Sequence, residues 1–485
     1  MDKAAYTARK SIPDIIASAD AEGVTLHRSL GPFSITAMGI GAIIGAGIFV
    51  LTGTAAAQYA GPALVLSFIL GGIACAFVGL CYAELAAMIP VSGSAYTYTY
   101  ATMGELVAWI IGWDLILEYA MGAATVAVGW SGYVTSLLAS FGLHLPPVLT
   151  HATGTAVQLA DGQQETALFN LPAALVVLVL TGLLVLGTRE STRLNNIMVA
   201  VKLSIVAVFI LVGAAYVTPA NWHPFLPENT GEFGHYGWSG VLRGAGVVFF
   251  AFIGFDAIST AAQEAKSPQR DMPIGILASL TICTLLYVLV AGVLTGLVPY
   301  PTLNVADPIA RGTDAIDLPW LSDLIKLGAI AGLTTVILVL LYGQSRIFLT
   351  ISRDGLLPPA FSHLHPRRQT PWISQLMVGC VVAFIAAVLP IGILGEMVSI
   401  GTLFAFVLVC GAVLYLRRRE PGLARPFRAP GAPVVPALGI AFSLLLMAGL
   451  PFDTWMRLII WMAIGLGIYA LYGRHHSQLR HGGGG

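Results

Sequence analysis

Two glycine-rich stretches decide how this chain is read: GIGAIIGAGIF at residues 39–49 and GAGVVFFAFIGFD at residues 244–256. Each lies within an apolar run of roughly the 20 residues that a helix needs to cross a bilayer. One such stretch alone reads as a packing contact, the GxxxG spacing that Gly41 and Gly45 provide. Two of them at corresponding positions, five apolar runs apart, point instead to helices broken in mid-membrane around a transported ligand. Five runs per unit is an odd number, so the second unit must enter the membrane from the opposite side. The expected architecture is therefore a five-plus-five inverted repeat followed by two further helices.

Working outward, the 485 residues are 57% hydrophobic and 10% charged, with mean hydropathy +0.83. Soluble domains carry about 25% charged residues, so the chain is expected to be an all-α membrane protein. Twelve apolar segments, numbered here 1 to 12, are legible at 33–57, 62–89, 105–139, 169–187, 193–217, 240–265, 272–298, 321–352, 372–390, 393–417, 434–451 and 454–472. Segments 3 and 8 exceed the bilayer's needs and are expected to tilt or project. The organisation that follows is an N-terminal tail at 1–31, a first repeat at 32–217, and an inverted second repeat at 240–417. A loop with segments 11 and 12 occupies 418–472, and a C-terminal tail 473–485.

Charge placement gives the orientation. With the N-terminus inside, 19 of the 24 basic residues fall on the cytoplasmic side, among them Lys266, Arg270 and the cluster Arg417, Arg418, Arg419, Arg425 and Arg428. Arg243, Arg311, Lys326 and Arg457 face the other way, and Lys202 lies inside the membrane. The positive-inside rule thus places both termini in the cytoplasm of a multi-pass protein of the cell membrane. The 24 Lys+Arg are balanced by 24 Asp+Glu, which removes the electrostatic case for a nucleic-acid partner. The five cysteines sit in apolar segments without metal spacing, so neither a zinc site nor a disulfide framework is expected. The first thirty residues have no apolar core and do not read as a signal peptide; the terminal glycines 482–485 are set aside from fold reasoning.

Unwound backbone in mid-membrane needs partners from protein, ligand or ion. A break at Gly45-Ala46-Gly47 would present the N–H groups of the following half-helix to a carboxylate. Carbonyls near Ile43, and near Phe250, Ala251 and Ile253, would suit an ammonium. Together they fit the two ends of an α-amino acid. Lys202 lies nine residues past Arg193, about 14 Å deeper at 1.5 Å per residue. An intramembrane lysine is a functional candidate by default. Three readings stand: a proton-coupling group whose charge comes and goes, a fixed structural cation, or a snorkelling side chain. Glu118 is read either as a contact to the central site or as a helix-locking group. Asp114 is expected in structural pairing, Glu84 as an anchor or gate partner at the cytoplasmic side, and Asp256 as the cap of the second half of segment 6. Among the phenylalanines at the second break, Phe250 is the candidate gate. No HExxH, GxSxG or Walker motif is present, so neither enzyme chemistry nor ATP drive is expected, and no cofactor.

The motifs GAIIGAGIF (41–49), YAELAAMIPVSGSAYTYTY (82–100), GWDLILEYAMGAATVAVGWS (112–131), RESTRLNNIMVAVK (189–202), FFAFIGFDAIST (249–260), YGQSRIFLTISRDGLLP (342–358) and PFRAPGAPVVP (426–436) run from segment 1 to segment 11. Through them the chain resembles the amino acid–polyamine–organocation superfamily, and within it a bacterial relative of the cationic amino acid transporters. The resemblance implies a LeuT-like fold and uptake of L-amino acids driven by protons, independent of sodium. It implies that Gly45, Ala46 and Gly47 hold the substrate carboxylate, that carbonyls of Ile43, Phe250, Ala251 and Ile253 hold the amine, and that Phe250 closes over the substrate. Lys202 would stand where sodium-coupled relatives hold an ion, and Glu118 matches the segment 3 glutamate of this subgroup. Two departures accompany it. Ala46 replaces the Ser or Thr often found mid-motif, and the chain has twelve expected spans where animal cationic transporters have fourteen. Substrate class and any accessory subunit stay open. An obligate exchanger, for instance of amino acids for polyamines, and a non-transporting sensor on the same scaffold are the alternatives.

Overall fold

The computed structural model describes residues 30–89, 94–158, 163–186, 192–256, 258–259, 262, 265–366 and 370–481. Most of the expected N-terminal tail, and Arg189, Arg367 and Arg368, lie outside the described residues. All twelve apolar segments are helical. Segments 2 to 5 become Leu64–Met88, Glu105–Ser140, Leu171–Leu186 and Thr192–Ala214. Segments 7 to 12 become Pro268–Leu297, Pro319–Arg353, Trp372–Val388, Ile391–Arg419, Val434–Ala448 and Phe452–Ile468. Among the described residues, seven helical runs are long and apolar enough to cross a membrane, and five shorter apolar helices accompany them. Proline opens several, as at Pro32, Pro268 and Pro319, where its missing N–H costs nothing.

Segments 1 and 6 are the irregular ones. Segment 1 starts as the α-helix Pro32–Ile43 and leaves helical geometry at Ile44 (φ −73°, ψ 97°). It resumes at Gly47–Leu51 in a π turn, passes through one α turn, and ends in a second π turn at Ala56–Ala60. Segment 6 is α-helical over Gly237–Val248, tightens to a 3-10 turn at Phe249–Phe252, and opens at Ile253 (φ −63°, ψ 141°). Gly254 follows at φ +110°, and a Cβ there would lie 2.8 Å from the Ala42 carbonyl oxygen, so this position requires glycine.

The expected second half of segment 6 falls partly outside the described residues. Among the described ones, residues 256, 258, 259 and 262 have 3-10 geometry. There the chain is tied back to the start of segment 1, through a parallel bridge between Leu30 and Ala265 and a Lys266 N–H donated to Leu30 O at 2.9 Å. Asp256, expected as the cap of that half, lies two residues past Gly254. Its Oδ1 accepts the N–H of Gly254 behind it at 3.2 Å, which stabilises the bend itself.

Segment 2 packs along segment 7 and segment 3 along segment 8, so each of these pairs joins helices five apart in order. Segment 10 lies against segments 3 and 11, and segment 9 against segment 4. Segment 12 is clasped to segment 3 by two indoles. Trp113 donates to Trp461 O at 2.8 Å and Trp461 to Trp113 O at 3.0 Å, with their rings stacked 4.5 Å apart. A small antiparallel hairpin, β1 (Ala156–Gln158) and β2 (Gln164–Thr166), sits in the loop after segment 3 and was not anticipated.

Candidate functional site

The two breaks touch. A Cβ on Gly47 would fall 2.2 Å from Ala251 Cα, so the backbones of segments 1 and 6 meet there without room for a side chain. On its other flank, Gly45 faces Val336 of segment 8, whose nearest methyl would lie 3.4 Å from an added Cβ. Ala46, at the N-cap of the resumed helix, offers no side-chain cap. The N–H groups that open a helix lack intrahelical partners, which suits this turn to an anionic group.

Lys202 reaches this point from segment 5. It is 2% exposed, and its ammonium donates to Gly41 O at 3.1 Å and Ile44 O at 3.3 Å. Both are carbonyls at the end of the first half-helix, where the helix macrodipole is negative. Its stem lies against Gly332, where a Cβ would come within 3.0 Å of Cε. The long side chain thus reaches a backbone cradle, and the snorkelling reading does not describe it.

Tyr287 of segment 7 is a site residue that sequence reasoning missed. Its fully buried hydroxyl lies 2.9 Å from Ile43 O and 2.7 Å from Ala251 O. One hydroxyl hydrogen therefore serves two carbonyls, both in the set expected to hold an ammonium. Of the other expected carbonyls, that of Phe250 accepts the Ile253 N–H at 3.2 Å. The Phe250 side chain is 6% exposed, and Phe249, Phe252 and Phe255 are fully buried core residues. Nothing in the run TICTLLYVLV (281–290) distinguishes Tyr287 from a core aromatic.

Glu118 is buried on segment 3. Along segment 8, Val336 faces Gly45 while Gly343 faces Tyr119. Those seven residues correspond to about 10 Å at 1.5 Å per residue. Glu118 lies within electrostatic range of Asp256 and Asp114 and near the Thr402 hydroxyl. Asp114 is fully buried, and neither of its carboxylate oxygens has a hydrogen-bond partner among the described residues, so the expected structural pairing is not seen.

A protein-family model described as amino acid permease matches residues 30–469, nearly the whole chain, including both breaks and Lys202. The chain belongs to the amino acid permease family. Similar proteins agree. The chain is 48% identical to the branched-chain amino acid permease BcaP of Bacillus subtilis, covering 97% of this chain and 98% of that one. It is 46% identical to the methylthioribose transporter of the same organism, covering 95% and 97%. Cationic amino acid transporter 9, chloroplastic, of Arabidopsis thaliana is 35% identical over 94% of this chain and 90% of its own. The permease is a multi-pass membrane transporter and not an enzyme, as its sequence implies.

Two polar clusters brace the permease at opposite ends. Glu84, expected as an anchor, is one: its carboxylate takes Arg417 through Nε at 3.0 Å and through Nη2, and the Ala429 N–H at 2.8 Å. Arg425 Nε lies 3.6 Å away. At the other end Arg243 of segment 6 reaches Glu396 of segment 10 at 3.5 Å, and Glu396 also accepts the Thr454 hydroxyl at 2.7 Å. Arg243 also lies 4.7 Å over the Tyr59 ring at the end of segment 1. Sequence reading placed Arg243 at this end of the bundle but gave it no partner, because its partners come from segments 1 and 10.

Proposed function

We propose that this permease is a sodium-independent, proton-coupled symporter of L-amino acids working by alternating access. It acts in the cell membrane with twelve spans and both termini cytoplasmic. The observation that carries the reading is the Lys202 ammonium on Gly41 O and Ile44 O. A protein cation holds the end of the first half-helix; its deprotonation would release those carbonyls and loosen segment 1. Binding and opening would then be linked to a proton. The inverted repeat, residues 32–217 and 240–417, is supported by the pairing of segment 2 with 7 and 3 with 8.

Substrate is proposed to lie at the Gly45-Ala46-Gly47 turn with its carboxylate on the backbone N–H groups. Its amine shares the carbonyls of Ile43, Phe250, Ala251 and Ile253, and Phe250 closes over it. A neutral, aliphatic side chain fits best. The residue facing Gly45 is Val336, an aliphatic side chain. The likeness to a branched-chain permease supports the same class. Glu118, with Asp114, Asp256 and Thr402 as its neighbours, is assigned to helix locking or proton passage.

The test is uptake of radiolabelled leucine, arginine and methylthioribose into empty proteoliposomes, sodium absent, with and without an inward proton gradient. Gradient-driven leucine accumulation is expected. Label exchange without accumulation would establish the obligate exchanger and make Lys202 a fixed cation. Binding without flux would establish a sensor. Accumulation of methylthioribose alone would remove the amino acid assignment.

A further inference from the structure

A groove of about 380 Å³ lies at the Lys- and Arg-rich end of the bundle, between the first turns of segment 7 and the loop before segment 11. Arg270, Pro273, Ile274 and Leu277 form one wall, and Pro426 and Phe427 the other. On segment 7 these positions recur every three or four residues, so they share one helix face. The lining changes along that face from a cation at Arg270 to hydrocarbon at Ile274, Leu277 and Phe427. Ile274 is 42% exposed although fully apolar, so the groove opens sideways from the helix bundle.

The loop wall is preformed. Arg425 donates to Leu423 O at 2.9 Å and Glu420 O at 2.9 Å, and the Ala429 N–H is held by Glu84 at 2.8 Å. Phe427 and Arg428 lie between these two fixed points and do not need ordering when something binds. Lys266 and Arg428, both exposed, add positive charge beside the lining residues in sequence. The acid in this helical turn, Asp271, is buried and bonded to the Ser267 N–H at 3.1 Å, so it is consumed locally. The helix N-terminus contributes a further partial positive charge.

We propose that this groove binds an anionic phospholipid, with its phosphate at Arg270 and Arg428 and one acyl chain along Ile274, Leu277 and Phe427. Basic pockets beside membrane helices select anionic headgroups. A free anion would use only the cationic end and gain nothing from the apolar wall, whereas a phospholipid uses both. The bound lipid would pin the foot of segment 7, the helix that carries Tyr287.

The test uses the full-length protein in detergent, with native mass spectrometry and thermal denaturation as readouts. It is titrated with dioleoylphosphatidylglycerol, dioleoylphosphatidylcholine and glycerol 3-phosphate. Retained binding and a raised melting temperature are expected for phosphatidylglycerol alone. Arg270→Ala with Arg428→Ala should weaken it roughly fivefold per arginine removed. Equal binding of phosphatidylcholine would overturn the proposal, as would glycerol 3-phosphate reproducing the shift, or undiminished binding by the folded double variant. Chain length tests the apolar wall in the unmodified protein: dihexanoylphosphatidylglycerol should bind more weakly than the dioleoyl lipid, and equal binding would overturn the proposal as well.

Discussion

Gly47→Ala and Gly45→Ala each add one methyl group, two residues apart, and the geometry assigns them different outcomes. A Cβ on Gly47 would lie 2.2 Å from Ala251 Cα, 2.4 Å from its Cβ and 2.7 Å from its backbone nitrogen. Carbon atoms rest about 3.5–4.0 Å apart, so the two breaks would have to separate by more than about 1 Å. The atoms in the way are mostly backbone and cannot rotate aside. In enzymes a misplacement of about 1 Å costs on the order of 10²-fold, and a loss of that order in leucine uptake is expected for Gly47→Ala. At Gly45 the nearest atoms are side-chain carbons of Val336 at 3.4 and 3.5 Å, an ordinary contact that the valine can accommodate. Gly45→Ala should therefore leave the two breaks in place, and its loss of uptake, from crowding of the substrate at this turn, should be the smaller of the two. Both variants would be compared for initial uptake rate in proteoliposomes, after size-exclusion profiles show that each is folded. Parent-like transport by Gly47→Ala, or equal damage in both, would refute the idea that the Gly47–Ala251 contact sets the site.

Lys202→Met leaves Gly41 O and Ile44 O without the ammonium, at about 1–3 kcal/mol for each orphaned acceptor. It should abolish gradient-driven accumulation, and undiminished accumulation would remove the coupling role. Tyr287→Phe should lower the melting temperature by the equivalent of about 1–3 kcal/mol, because at least one of two buried carbonyls loses its donor; an unchanged melting temperature would show the hydroxyl to be dispensable. Glu118→Gln should leave leucine affinity intact when binding is measured by thermal shift, whereas a tenfold loss would bring Glu118 back into contact with substrate. Glu84→Ala removes the shared partner of Arg417 and Arg425 and orphans the buried Ala429 N–H, which costs about 1–3 kcal/mol. Its melting temperature should fall accordingly, and a parent-like value would mean the basic loop is held by other bonds.

What the sequence made legible follows from the strength of its periodic signal. Twelve apolar runs and two glycine interruptions survive any reasonable choice of boundary, and each run is a helix. Lys202 was legible for the same reason: a charge deep in an apolar run stands out against its background. Tyr287 was not, because a tyrosine among aliphatic residues looks like core, and only the third dimension brings its hydroxyl to two helix breaks. Glu118 stayed ambiguous. Its charge stood out as clearly as that of Lys202, but depth along a helix does not reveal which neighbours it faces. The bridge between Leu30 and Ala265 was beyond reach too, since it joins residues more than two hundred positions apart.

The paired indoles of Trp113 and Trp461 bear on how the protein is made. They are 348 residues apart, and each donates its indole N–H to the other's backbone carbonyl. At a synthesis rate of about 5–20 residues per second, segment 3 waits roughly 20–70 s in the membrane before its partner emerges from the ribosome. Until then the Trp113 indole N–H faces hydrocarbon, which cannot accept it. The last helix therefore supplies the acceptor for a donor on the third, and a nascent chain truncated before Trp461 leaves that indole without it.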